Sequence, residues 1–486
     1  ALSLLLEGEC RLIGRRQIMA MKIAKLSRRG FLAGGGAVAV TGTAALFMQR
    51  GGSVMAGSAV RGPVDMRLRA SPATVPLLGN AQGGVDVWVY NGQVAAPEIR
   101  IRQGERLRVT LDNGLAQDTT IHWHGLRVPN AMDGVPHLTQ DPVRPGQSFT
   151  YDFVPQDAGT FWYHPHHRSF EQVARGLYAP LIVEERDPIV VDRDITWMLD
   201  DWRIGADGQI NDDFGNPSDA FMSGRVGNTM TINGRPPQPF VVRSGERIRL
   251  RLINAANARI FALDFSRLNP QIIALDGQPV APHEVDGALH IAPGMRIDLI
   301  LDPEGAPGSR VTIGDSFYEG LEFALTDVVY SDTPLRADPL TTPIALPPNP
   351  IPEPQTETST RHEVVFGGGM MGPSATGKMD WTVNGVAASG HNLDPVLTLP
   401  RGESVILTLR NETAWWHPIH LHGHSFRVLS RNGTPTRYRE WQDTVLIAPD
   451  EIVEVAFVAD NPGDWMFHCH ILEHQAAGMM ATVRVT

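Results

Sequence analysis

The sequence predicts an all-β protein of three tandem β-sandwich domains, and three observations carry that expectation. At about 150 residues per domain, 486 residues make roughly three. Gly and Pro number 48 and 37, about 17% of the chain against about 12% in average usage, and they separate short runs of alternating apolar residues. Most specific is a pattern that occurs three times, a turn carrying Gly-Glu followed by an alternating strand that ends in Asn.

Taken in chain order, the first element is an address. Ser27-Arg28-Arg29-Gly30-Phe31-Leu32 is a twin-arginine pattern, and an apolar Gly/Ala-rich run from Phe31 to Phe47 follows it. Val54-Met55-Ala56 supplies small residues of the cleavage-site kind. A run of 17 residues with three consecutive glycines is short for a membrane anchor, the alternative reading. Residues 1–56 are therefore expected to be upstream sequence and a signal peptide, with the mature protein delivered to the periplasm by the twin-arginine export machinery. Cleavage would remove Cys10 and leave Cys469 as a single thiol in an oxidising compartment. Such a thiol is buried and inert, a nucleophile or a metal ligand.

The three copies are Ile101–Asn113, Val242–Asn254 and Leu399–Asn411, with Glu105, Glu246 and Glu403 at 141 and 157 residues apart. That period is domain-sized. Alternation with one wet face reads as an antiparallel strand. A second shared segment follows in each copy, Arg144-Pro-Gly-Gln147, Ala292-Pro-Gly-Met295 and Ala448-Pro-Asp-Glu451. The expected domains are 57–186, 187–335 and 361–486. Eight prolines between Ser331 and Thr360 predict an extended surface linker, with 336–360 as its body. A formal charge of −11 makes the chain a poor candidate for binding nucleic acid or anionic lipid through a broad basic face.

Seventeen histidines against two cysteines is the unusual ratio. Counting 17 and 19 residues past the Glu of each copy reaches His122 and His124 in the first, His420 and His422 in the third, but Leu263 and Phe265 in the second. A further pair follows in each outer copy, His164/His166 and His468/His470. Residues i and i+2 on a strand share a face, so each pair presents two imidazoles in one direction. The chain holds five His-x-His pairs where random scatter gives roughly 0.6, which weighs against coincidence of surface or core histidines. Imidazole alone suits Cu, Zn, Fe or Ni. Cys469, followed at +5 by His474 and at +10 by Met479, narrows the choice. With His417 these residues offer two histidines, a cysteine and an axial thioether, the trigonal set of blue copper. A Cys–His nucleophile would leave the flanking histidines and Met479 unexplained.

His122-Trp-His-Gly125, Tyr163-His-Pro-His166, His417-Pro-Ile-His-Leu-His-Gly423 and the run from His468 to Met479 resemble the four copper signatures of the multicopper oxidases. The resemblance spans all three repeats and looks like the three-domain bacterial branch, which includes laccases and periplasmic cuprous oxidases. It implies cupredoxin-like Greek-key domains and four copper ions. His417, Cys469, His474 and Met479 would hold type 1 copper; His122 and His420 would hold type 2. The type 3 pair would be held by His124, His164 and His470 on one ion and His166, His422 and His468 on the other, between the first and third domains. The middle domain would hold no catalytic copper, and the other seven histidines, His137, His167 and His424 among them, match no ligand position.

The resemblance further implies one-electron oxidation of a donor coupled to reduction of O2 to water. Cys469 between His468 and His470 would give electrons a through-bond route. Asp133 matches an acidic residue near the trinuclear site; its alternative reading is a turn Asp before Gly134. Asp443 matches a residue beside a type 1 histidine in cuprous-oxidase relatives, where it could orient His417 or meet the donor. Several relatives carry a carboxylate after the second type 1 histidine, and here Gln475 stands there, unable to shuttle a proton. Phenols and aromatic amines are the expected donors, because Gly367–Met379 holds three methionines rather than a long Met-rich insertion suited to Cu(I), the second candidate. A copper-free structural cell-division relative is a third reading, opposed by the complete ligand set. A monomer is expected.

Overall fold

The computed structural model describes residues 64–80, 83–338, 340–370, 379–388 and 394–486. The export signal and Met371 lie outside them. The strands assemble into three pairs of sheets. In the first, a sheet ordered Val85–Tyr90, Val64–Val75, Leu107–Asn113, Ser148–Phe153 faces one ordered Ile99–Arg102, Ala179–Glu184, Gly159–His164, His122–His124. One apolar core lies between them, with Leu68, Val109 and Tyr151 from one sheet against Phe161, Leu181 and Trp123 from the other. The second pair has six and five strands and closes on Leu250, Leu299, Ile313 and Val328. The third has seven and five strands and closes on Val405, Val455, Ile419 and Val483.

Each Gly-Glu strand holds the same place in its sheet. Leu107–Asn113, Ile248–Asn254 and Ser404–Asn411 each pair parallel with the unit's first long strand and antiparallel with the strand opened by the second shared segment. The Asn that ends each copy is buried and staples the loop beyond it. Asn113 Nδ2 donates to the carbonyls of Gln117 and Val143, Asn254 Nδ2 to those of Arg259 and Ile291, and Asn411 Nδ2 to those of Trp415 and Ala448. Each Oδ1 accepts the N–H two residues on. This Asx turn satisfies loop backbone that would otherwise be buried without partners, and it aims the chain into the next strand. In the first unit that next strand is His122–His124, and in the third it is His417–Leu421 with His422 directly after it; in the middle unit it is Phe261–Leu263, packed into the core.

The described residues of 331–359 contain neither helix nor strand. The segment is tied down by polar contacts. Asn349 exchanges hydrogen bonds with the backbone of Ala158 and donates to Gln278, Arg127 reaches the carbonyl of Pro350, and Arg247 reaches those of Leu340 and Thr342.

Candidate metal centre

Two buried groups of imidazoles lie close together on the third unit's five-stranded sheet. Its strands Gly463–Cys469 and His417–Leu421 are antiparallel neighbours with Ile419 opposite Cys469 and His420 opposite His468. Alternation along each strand then sends His417 and Cys469 to one group and His420, His422, His468 and His470 to the other.

In the smaller group, Cys469 Sγ lies 3.4 Å from His417 Nδ1 and 3.8 Å from His474 Nδ1, and the two nitrogens are 3.3 Å apart. His474 comes from the short helix Leu472–Ala476. Met479, fully buried, is fixed by its backbone, which donates to the carbonyl of His474 and accepts from Cys469 N–H. The outward nitrogens are occupied, His417 Nε2 by Thr413 Oγ1 at 2.8 Å and His474 Nε2 by the carbonyl of Met222 at 2.7 Å. A ring nitrogen that donates outward leaves its partner as a lone pair, so both Nδ1 atoms face the sulfur as acceptors. Burial pushes His474 down to about 3 and the Cys469 thiol up, so the apo group is neutral. Trp381 covers both rings, at 5.0 Å from His417 and 4.3 Å from His474.

The larger group joins the first and third units. His122 and His164 face each other across a strand pair, and His166 lies two residues beyond. The rings of His122 and His422 stack at 3.8 Å, as do those of His124 and His420. The outer nitrogens are again engaged. Nδ1–H of His122, His164, His420 and His468 donates to the carbonyls of Asp133, Pro165, Asp443 and Cys469, and His124 Nε2 lies 3.1 Å from Thr444 Oγ1. The inner nitrogens are orphaned. His122 Nε2, His124 Nδ1, His164 Nε2, His166 Nε2, His420 Nε2 and His470 Nε2 are buried without a hydrogen-bond partner among the described residues. His422 Nε2 and His468 Nε2 face each other at 3.1 Å. Burial holds His124, His164, His166, His422, His468 and His470 well below the usual imidazole range, so protonation does not satisfy the orphaned nitrogens of His124, His164, His166 and His470. Converging buried lone pairs of this kind fit metal ions.

The sequence-predicted ligand sets map onto this arrangement unevenly. His417, Cys469 and His474 come within metal-ligating reach of one another, as do His166, His422 and His468. His124 and His164 come together with His122, while His470 approaches through its ring, 4.8 Å from that of His124 and 5.4 Å from that of His164. His122 and His420 lie 5.8 Å apart between ring centres and both come within reach of His422. Asp133 is buried behind the larger group, with Oδ2 accepting from His422 Nδ1 at 2.9 Å and Oδ1 3.3 Å from His122 Nδ1. Gln475 lies 3.4 Å from His166 Nδ1 and accepts from Ser169 Oγ. His424 is buried against Phe457 and Trp465, donating to the carbonyl of His422.

Asp443 corrects one expectation. It neither touches His417 nor reaches a donor: it is fully buried, 3.2 Å from His420 Nδ1 and 3.3 Å from His124 Nε2. Strand polarity is the cause. Thr444–Ile447 runs antiparallel to His417–Leu421, so His417 faces Ile447 and the Asp443 end lies beside His420. Burial pushes this carboxyl up, but Arg296 and His420 outweigh it and hold Asp443 well below the usual carboxylate range. Thr444, Thr413, Met222 and Trp381 contact these groups, and Arg296 reaches them through Asp443, without having been singled out in the sequence. The middle unit's share of them, Arg296 and Met222, carries no metal-binding side chain of the His or Cys kind.

The relatives agree with this chemistry. Three sequence profiles, each described as multicopper oxidase, match residues 74–188, 193–309 and 369–486. A multicopper oxidase of Mycobacterium tuberculosis is 31% identical, over 94% of this chain and 96% of its own length. The solved multicopper oxidase of Pseudomonas thermotolerans is 35% identical with a TM-score of 0.79, covering 87% of this chain and 99% of that one. A laccase-like multicopper oxidase of the lignin-degrading Ochrobactrum sp. is 25% identical with a TM-score of 0.72, covering 87% and 99%. Matched along all three sheet pairs and by a relative of nearly its full length, the chain belongs to the multicopper oxidases, oxidoreductases that use oxygen and carry copper.

Proposed function

We propose that this oxidase is laccase-like, oxidising phenols and aromatic amines, and that it holds four coppers. His417, Cys469, His474 and Met479 are the type 1 ligands, His122 and His420 the type 2 ligands. His124, His164 and His470 serve one type 3 ion, and His166, His422 and His468 the other. The observation that carries the reading is the set of orphaned inner nitrogens, those of His122, His164 and His420 on rings whose other nitrogen is held by a carbonyl and that of His124 on a ring held by Thr444, beside a separate His/Cys/His group. When bound, type 1 copper would accept single electrons from the donor, and the other three coppers together would pass four to O2.

The chain's own contribution is placement. Peptide carbonyls hold the tautomers, so little rearrangement accompanies loading. Cys469 is joined covalently to His468 and His470, and the His468 Nδ1–H bond to the Cys469 carbonyl adds a second link. Asp133 accepts N–H from His422 and stands behind His122, where a carboxylate can take up and return a proton beside the oxygen-reducing group. Gln475 holds its place by Ser169 and His166 without adding a second acid.

The Ochrobactrum oxidase acts on lignin model compounds, which supports phenolic donors. Cu(I) is the second reading, favoured by half-exposed Met370, whose N–H bonds the carbonyl of Phe221, next to the Met222 that caps His474. A copper-free structural role is disfavoured by the retention of every ligand. The twin-arginine pattern supports periplasmic delivery. Oxygen uptake by the copper-loaded protein tests the reading, with 2,6-dimethoxyphenol and a Cu(I) complex as rival donors. Faster turnover of the phenol is expected; uptake with Cu(I) only would replace laccase by cuprous oxidase.

A further inference from the structure

The middle unit has no histidine at the larger group, yet its second shared segment packs directly against it. A Cβ on Gly294, in Ala292-Pro-Gly-Met295, would lie 2.8 Å from His470 Cδ2 and 3.1 Å from His124 Cε1. The residue that opens the next strand is Ser148 in the first unit and Ile452 in the third. In the middle unit that matched residue is Arg296, fully buried.

Arg296 is held from three sides. Its guanidinium donates to the carbonyls of Gly294 (3.0 Å) and Asp276 (2.9 Å) in the middle unit and to that of Thr160 (3.2 Å) in the first. The remaining donors form a two-pronged pair with Asp443 of the third unit, Nη1 to Oδ1 at 2.8 Å and Nη2 to Oδ2 at 2.5 Å. Asp276 completes the frame by accepting the N–H groups of Asp443 and Thr444 through Oδ2. Asp443 Oδ1 then faces His420 Nδ1 and His124 Nε2, and also accepts from Thr444 Oγ1 at 2.8 Å. Gly125, directly after His124, leaves room for the pair: a Cβ there would collide with Arg296 and lie 2.6 Å from Asp443 Oδ2.

We propose that Arg296 is a positioning residue of the trinuclear site, fixing Asp443 so that one carboxylate orients His420 and His124 together. The middle repeat thereby contributes a cation to a site whose imidazoles come from its two neighbours. A planar fork is needed because a carboxylate gripped at both oxygens cannot rotate, whereas an ammonium grips it as a point charge. The inference rests on the proposed ligand roles of His420 and His124.

The test compares the copper-loaded full chain with Arg296→Lys, Arg296→Met and Asp443→Asn. The readouts are copper per chain, the visible thiolate band, and the electron paramagnetic resonance signal of the non-blue Cu(II). In Arg296→Lys and Asp443→Asn the visible band is expected at wild-type intensity, since neither residue touches that group. Affinity for the non-blue copper is expected to fall about 10- to 100-fold, in line with losses on removing groups that support metal ligands. Combining the two changes should add little to either alone, because one residue acts through the other. Arg296→Met leaves a buried carboxylate unpaired and is the variant most prone to misfold; Arg296→Lys keeps the charge and decides the matter. Unchanged non-blue copper in Arg296→Lys would overturn the proposal, as would loss of the visible band in step with it. A wild-type chain lacking both copper signals would instead overturn the ligand assignment.

Discussion

At the scale of single residues, Cys469 and Met479 lend themselves to direct tests. Cys469 is the thiol of the smaller group, and a hydroxyl is a poor substitute for a soft thiolate. Cys469→Ser is expected to abolish the intense visible band and leave about three coppers per chain, read by metal analysis beside the absorption spectrum. For Met479, a weak axial thioether donor stabilises Cu(II) over Cu(I). Met479→Leu nearly conserves volume, so its effect should be electronic. The reduction potential is expected to rise, and redox titration of the visible band would reject the axial role if it stayed or fell. These residues were legible because histidine and cysteine at fixed offsets have few other reasons to recur. Asp443 was misplaced because its neighbour along the sequence is not its neighbour across the sheet: antiparallel pairing carried it to His420 instead of His417. Arg296 gave no sequence signal as a partner of the site, since a lone Arg opening a strand reads as an exposed cation until three units are seen to enclose it.

At the scale of elements, the Asn that ends each copy of the repeat explains part of the pattern itself. Asn411 bonds Trp415, Ala448 and Thr413, and Thr413 in turn accepts from His417 Nε2. Asn411→Ala would leave buried carbonyls and an N–H unpaired, at a cost of about 2–4 kcal/mol. A lower thermal midpoint is expected, together with a shift of the visible band as His417 loses its alignment; an unaltered band would show that Thr413 keeps its place without the staple. Strand alternation, the Gly-Glu turns and the proline-rich segment could all be read from the sequence, because local backbone chemistry writes them. The pinning of that segment by Asn349 and Arg127 could not, because its partners are distant in the chain.

At the scale of the molecule, folding gathers neutral imidazoles where water cannot reach them. Burial lowers His164, His166, His417 and His468 below the ordinary value of about 6.5, and His474 to about 3. Between the folded and unfolded values the unfolded chain binds more protons, so stability must fall as pH falls. Through these rings the copper-free protein should melt at a nearly constant temperature between about pH 7 and pH 8 and progressively lower below about pH 6, while at alkaline pH the buried Cys469 thiol, which folding keeps protonated, lowers it again. A melting temperature that rises on acidification below about pH 6 would show that these rings are not held neutral. The three-unit plan was visible in the period of the repeat, whereas the charged junction at Arg296 exists only once the units meet.

The strand Gly463–Cys469 has one more consequence. Because Cys469 is bonded directly to His468 and His470, the path from thiolate to imidazoles has the fixed length of a few covalent bonds. The larger group, in contrast, closes only when His122, His124, His164 and His166 of one unit meet His420, His422, His468 and His470 of another. Any separation of the two units would therefore open the larger group while the covalent link from Cys469 to His468 and His470 keeps its length. Solvent viscosity should thus slow the oxygen half of the cycle and leave intramolecular electron transfer unaffected, a separation that rapid-mixing kinetics in glycerol would expose.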